Sequence, residues 1–260
     1  LQLSMRDFTL EAYRLYLQAI KASYSNILTF AEFFSLPEPP DSFVIIRHDV
    51  DRKPKNALKM AMLENEMGVR STYYFRTKAH VFNSGIIRAI AKYGHEIGYH
   101  YESLADTKGD MGLAINDFEA NLLKLRDLVP IQTIAMHGSP LKPYDNRDMW
   151  HQNEGHRLLT EKYHILGEVY LDIDYKDVAY INDTGRNWSS DISNIRDFVD
   201  SEETINIENA NELFHLFENA FYSKIVFQVH PERWTDSFID YQIQFLKDYV
   251  VNFLKFFIKK

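Results

Sequence analysis

Short apolar runs alternate with amphipathic segments along most of this chain, and that alternation limits what it can fold into. "FVIIR", "STYYFR", "HEIGYHY", "IQTIAMHG", "VAYIND" and "KIVFQVH" have the length and β-branched or aromatic character of buried strands. A further short strand is expected within "HILGEVYLDI", and "TINIEN" is a candidate strand. Between them, "KNALKMAMLENEMG", "SGIIRAIAKYG", "DMGLAINDFEANLLKLRDLV" and "ANELFHLFENAFY" carry apolar residues at helical spacing. Strand–helix alternation repeated roughly seven or eight times makes a parallel sheet with helices outside it, and at this count a closed barrel is favoured over an open sheet. The predicted fold class is α/β, a distorted (β/α) barrel of seven strands. Residues 9 to 24, "TLEAYRLYLQAIKASY", form an added amphipathic helix, so residues 1–42 read as a helical extension packed on a barrel that occupies 43–260.

Composition excludes several classes of function. The net charge of −8 argues against a nucleic-acid partner, which requires a basic face. There is no cysteine, so disulfides and thiolate metal sites are ruled out. No apolar run reaches the length of a membrane span: Asn252 and Lys255 interrupt "YVVNFLKFFIKK", which reads as a terminal helix docked on the barrel, with Lys259 and Lys260 favouring its C-terminal end. No leader pattern is visible, and a cytoplasmic location is the expectation. Glycine-rich phosphate loops are absent.

The chemistry-bearing residues cluster where strands stop. Asp49 and Asp51 follow "FVIIRH", His100 and Glu102 lie in "GYHYES", His137 in "AMHGSP", Asp183 in "YIND", and His230 in "FQVHPERW". In a parallel barrel the carboxyl ends of all strands converge on one mouth. Side chains at i and i+2 on a strand share a face, so Asp49 with Asp51, and His100 with Glu102, can both look into it. Two histidines and a carboxylate are a common donor set for zinc or a similar divalent ion. A second carboxylate beside them suits a general base. The bland alternatives are a helix cap for Asp51, ahead of the helix starting near Pro54, and core packing for Trp150, Trp188 and Trp234. His95 reads as structural, and His80, His151, His156, His164 and His215 belong to no constellation.

At "RHDVD", "GHEIGYHYESL" and "VHPERW" the sequence resembles the polysaccharide deacetylase superfamily, that is, carbohydrate esterase family 4 and its relatives, over roughly Phe43 to Trp234. The resemblance implies a metal-dependent hydrolase that removes acetyl from an amino sugar or a related small amide or ester. Zinc is the expected ion, with cobalt, nickel or manganese as alternatives. It also implies Asp49 as general base, Asp51 and His100 as metal ligands, and His230 as general acid. Two departures stand out. The family's second histidine ligand, four residues after the first, is Leu104 here, so His137 or, less favoured, Glu102 is the expected third ligand. The family's Arg-x-Pro-Tyr loop is replaced by "HGSPLKPYDNRDMW", which leaves Arg147 or Arg186 as candidate partners of the base. Asp183, Trp188 and Arg186 are candidate substrate contacts. A glycan or small molecule is the expected substrate. The alternatives are a catalytically degenerate carbohydrate-binding or scaffolding protein on the same barrel, and a hydrolase of non-sugar C–N bonds.

Overall fold

The computed structural model describes residues 5–139, 142–186, 188, 198–203 and 205–258. Seven parallel strands form a curled sheet: β2 (Phe43–Val50), β3 (Thr72–Phe75), β4 (Glu96–Tyr101), β5 (Thr133–Met136), β6 (Gly167–Glu168), β7 (Ala179–Asn182) and β8 (Lys224–Val229). Their order is β6-β5-β4-β3-β2-β8-β7, and a two-residue β1 (Ile27–Leu28) pairs with the first half of β2. The end strands β6 and β7 are not paired in this order, so the barrel is distorted and open between them. Side chains span that opening, with the Tyr170 and Tyr180 hydroxyls 3.4 Å apart. The segment "TINIEN" is not a strand where it is described; residues 205–208 are irregular.

The helices are α1 (Leu10–Ser23), α2 (Phe30–Ser35), α3 (Pro54–Glu66), α4 (Ser84–Lys92), α5 (Ser103–Asp106), α6 (Met111–Arg126), α7 (Asn153–Arg157), α8 (Ala210–Glu218) and α9 (Phe238–Ile258). Most have local stops and starts that the residue types explain. Thr9, Asn83, Asp110 and Asn209 accept backbone N–H bonds at the starts of α1, α4, α6 and α8, and Thr29 with Glu32 closes a capping box on α2.

Strand alternation sorts the apolar residues into layers. Phe43 and Ile45 point into the barrel with Tyr74, Ala135, Tyr180 and Val226. Val44 and Ile46 point outward, under α1 and α8. Tyr73, Ile97, Tyr99 and Ile134 pack under α3, α4 and α6. Gly98 is required inside the barrel, because a Cβ there would overlap the Tyr74 ring.

One buried polar cluster ties α1 and α3 to the strand that carries the aspartates. Glu64 of α3 is fully buried. It bonds His48 Nε2 at 2.7 Å, and it accepts from Tyr73 Oη at 2.7 Å, Ser71 Oγ at 2.6 Å and Tyr13 Oη. Burial raises the Glu64 carboxyl, but the facing His48 and the other donors outweigh it and hold it down at about 2. His95, read from the sequence as structural, lies at the edge of this cluster, with Nε2 3.0 Å from Ala61 O.

Candidate active site

The inward face of β2 continues the barrel interior as Phe43, Ile45, Arg47 and Asp49, and a turn closed by Asp51 N–H on Asp49 O (3.1 Å) then brings Asp51 to the mouth. Asp51 does not cap α3. The residue at the N-cap is Lys53, in a left-handed conformation (φ 47°) and without a side-chain cap bond, and Pro54 occupies the first turn. His100 faces inward from β4, opposite Ala135 of β5. His137 follows the end of β5, where its N–H donates to Tyr101 O at 2.7 Å.

These elements bring three donor side chains together. His100 Nε2 lies 3.4 Å from Asp51 Oδ1, and His137 Nε2 lies 3.5 Å from Asp51 Oδ2. One donor atom from each of the three residues falls within 4.8 Å of the others. A tetrahedral zinc ion with bonds of about 2.0–2.1 Å places its ligand atoms about 3.3–3.4 Å apart, and the distances from each imidazole to its nearer Asp51 oxygen are close to that. Asp51 Oδ1 is buried and has no hydrogen-bond partner among the described residues. A buried carboxylate oxygen without a donor, on a carboxylate flanked by two imidazoles, fits a cation that would satisfy it.

Each imidazole is oriented from behind. His100 Nδ1 lies 2.9 Å from Ala135 O, which leaves Nε2 facing the aspartates. His137 Nδ1 lies 3.0 Å from Ser139 Oγ and 3.3 Å from Glu102 Oε2. Glu102 is itself gripped by Arg76 through two bonds of 2.8 Å. Of the two candidate third ligands, His137 therefore presents its ring to Asp51 and His100, while Glu102 backs His137. Burial alone would raise the Glu102 carboxyl; His137, Arg76 and Lys78 outweigh it and bring it down to about 2. Burial lowers His137, but the charges of Asp51 and Glu102 prevail and lift it to about 9. Leu104, where the resemblance places a histidine, is buried in the apolar cluster outside the barrel.

Asp49 sits beside this set, its Oδ2 3.5 Å from His100 Nε2. Its carboxylate is fixed from three directions. Arg47 Nε donates to Oδ1 and Arg47 Nη2 to Oδ2, both at 2.8 Å, and Gln228 Nε2 donates to Oδ2 at 2.7 Å. The guanidinium beside Asp49 thus comes from the same strand, two residues earlier. The i, i+2 spacing in "RHD" carried that signal, and sequence reasoning looked to distant loops instead. Arg147 binds Asp145 at 2.7 Å, and Arg186 binds Asp248 at 3.1 Å.

His230 follows β8, whose Val229 is in register with His48, so it borders Asp49 across the sheet. Its Nδ1 lies 2.6 Å from Asp183 Oδ1. Asp183 Oδ2 accepts from the His230 N–H at 2.9 Å and from Trp234 Nε1 at 2.8 Å, and Arg233 Nη1 is 3.3 Å from Oδ1. Burial and Arg233 lower His230; Asp183 overrides both and raises it to about 9. Asp183 is fully buried and encircled by these donors, so it holds His230 and is not placed to touch a substrate.

The two other expected substrate contacts are also elsewhere. Trp188 stacks on Phe8, with centroids 5.1 Å apart, and is buried. Arg186 lies over the Phe8 and Tyr241 rings. Trp150 and Trp234 are core residues. His80, His151, His156, His164 and His215 are exposed. Sequence reasoning missed Glu232, which is buried close enough to Asp51 to feel its charge and has an oxygen with no hydrogen-bond partner among the described residues.

No family model matches the sequence, and no curated protein does. Solved structures give a different result. The chain is similar to carbohydrate esterases of family 4. One is the catalytic domain of a peptidoglycan N-acetylglucosamine deacetylase from Eubacterium rectale, at 12% identity and TM-score 0.46, covering 81% of this chain and 84% of that one. A family 4 esterase from Streptococcus mutans is 12% identical over 92% of this chain and 90% of its own, at TM-score 0.45. A family 4 pseudoenzyme from Bacillus anthracis is 10% identical over 81% of this chain and 61% of its own, at TM-score 0.46. Against the family 4 pattern stated from the sequence, this chain has Leu104 at the second-histidine position and His137 at the β5 exit beside Asp51, and the arginine bonded to Asp49 comes from β2.

Proposed function

We propose that this chain is a metal-dependent hydrolase of the polysaccharide deacetylase type, acting on an acetylated amino sugar or a related small amide or ester. The observation that supports it is the meeting of Asp51, His100 and His137 at one point, with Asp49 beside them and His230 on the adjoining strand. Asp51, His100 and His137 would hold a divalent ion, which supplies Lewis acidity toward a carbonyl and lowers the pKa of water. Asp49 takes the proton from the attacking water, and Arg47 and Gln228 keep its carboxylate in one orientation as it does so. The hydroxyl adds to the acetyl carbon and the bond to nitrogen or oxygen breaks. His230, held charged by Asp183, gives its proton to the departing atom.

The acetyl substrate follows from the resemblance at "RHDVD" and "GHEIGYH"; the barrel itself takes many substrates. The test is acetate release from acetylated amino-sugar oligomers and from acetyl esters by zinc- or cobalt-loaded protein, beside Asp49→Asn. The variant is expected to keep its metal and lose roughly 10²–10⁴-fold in turnover. Full turnover in Asp49→Asn would remove Asp49 as the base. Metal binding with no turnover of any amide or ester would instead indicate a binding protein on the same barrel.

A further inference from the structure

The last helix is turned inside out. In α9 the side that faces the body is largely polar: Gln244 and Asp248 are buried, Arg186 Nε donates to Asp248 at 3.1 Å, and Asn252 Nδ2 donates to Gly185 O at 2.8 Å, with Tyr241 packed beside them against the core. The opposite face is open and largely apolar, with the uncharged Gln242 among its residues. Eight large apolar residues described there are between 46% and 70% exposed, running from Phe238 and Ile239 through Ile243 and Leu246 to Tyr249 and Phe253. Their spacing of three and four keeps them on one stripe, about 22 Å long at 1.5 Å per residue. A surface helix ordinarily has the reverse arrangement.

We infer that this stripe is the interface of a two-fold dimer of the chain, formed by α9 packing against α9 of a second copy. The argument is area, shape and charge. Four aromatic side chains of roughly 150–250 Å² and four smaller aliphatic ones, each about half to two-thirds exposed, present on the order of 800 Å², which is what a standard interface takes from each partner. That is well above the few hundred Å² of apolar surface that a monomer leaves uncovered. A straight apolar stripe is its own complement across a two-fold axis. No charged residue lies within it, since Asp240, Lys247 and Asp248 fall on the other faces of the helix. A membrane-surface helix would show a basic polar face to the headgroups. Here the polar face is buried against the body and carries Asp248, so a second copy fits better than a lipid surface.

The test uses the whole chain in light scattering and in cross-linking. One copy has a mass of 30.6 kDa, and the dimer is expected at twice that. Leu246→Glu, an exposed change, should leave the circular dichroism spectrum intact and weaken the dimer at least about 100-fold. The sequence holds no cysteine, so Leu246→Cys introduces a single thiol near the middle of the stripe. It should form an interchain disulfide, which requires Cα atoms within about 7 Å. Phe221→Cys, somewhat more exposed than Leu246 and outside α9, should not. A monomer at about 100 μM, a dimer indifferent to Leu246→Glu, or equal cross-linking of the two thiols would each overturn the inference. So would flotation of the monomer with phosphatidylcholine vesicles, which would assign the stripe to lipid.

Discussion

Replacing Arg47 by methionine isolates the contact that holds the proposed base. Arg47 is fully buried, and its side chain makes two bonds of 2.8 Å to Asp49, whose own side chain is 2% exposed. Methionine keeps much of the stem and removes the charge. Asp49 is then left buried with Gln228 as its remaining donor at 2.7 Å. Breaking a buried pair from one side costs about 3–5 kcal/mol, because the surviving charge stays out of water. That is a large part of the ~5–15 kcal/mol that holds a domain together. With a urea slope of roughly 3 kcal/mol/M, the unfolding midpoint should fall by about 1–1.7 M. The cycle is completed by Asp49→Asn and the double variant. Removing both charges should restore at least about 2 kcal/mol relative to the sum of the singles, since no lone buried ion remains. A cost for Arg47→Met below about 1 kcal/mol, or a strictly additive double variant, would refute the pairing.

Three other outcomes follow from the site. Activity should decline as pH rises through about 9, where His230 loses the proton it donates; the stability contributed by its pairing with Asp183 is complete below the ordinary histidine value and is lost over the same rise. Asp183→Asn should move that alkaline limb to lower pH in a kcat/KM profile, and an unmoved limb would detach His230 from the chemistry. Glu102→Gln should weaken zinc binding by about 10–100-fold in a chelator competition while the fold persists, because His137 loses the carboxylate behind it. Unchanged affinity would show that Ser139 alone orients that ring.

The barrel was readable because the strands are short apolar runs with clear breaks; β3, β4, β5, β7 and β8 fall inside the segments expected for them, and β2 starts where expected at Phe43 but runs past Arg47 to Val50. β6 shrinks to Gly167–Glu168, too short for any periodicity to show. The convergence of Asp51, His100 and His137 was readable for a topological reason: parallel strands share one mouth, so strand-end residues meet whatever their separation in sequence. Arg47 was overlooked because an arginine inside an apolar strand looks like an interruption until its partner at i+2 is considered. Arg186, Trp188 and Asp183 were misplaced for the opposite reason. They lie after β7, but the contacts that draw them inward come from α9, Phe8 and the "HPERW" turn, distant segments that no local pattern reveals. The terminal helix was expected to dock on the barrel; which of its faces turns inward was decided by Arg186 and Arg233, both paired with Asp248. Lys259 and Lys260, expected to favour its end, lie outside the described residues.

The central claim is a shared cation, and anomalous scattering from a zinc-soaked crystal measures it directly. One peak is predicted, about 2.0–2.2 Å from Asp51, His100 Nε2 and His137 Nε2 together, and absent from His137→Ala. A peak that leaves out Asp51 or either histidine, or none at saturating zinc, would contradict the account.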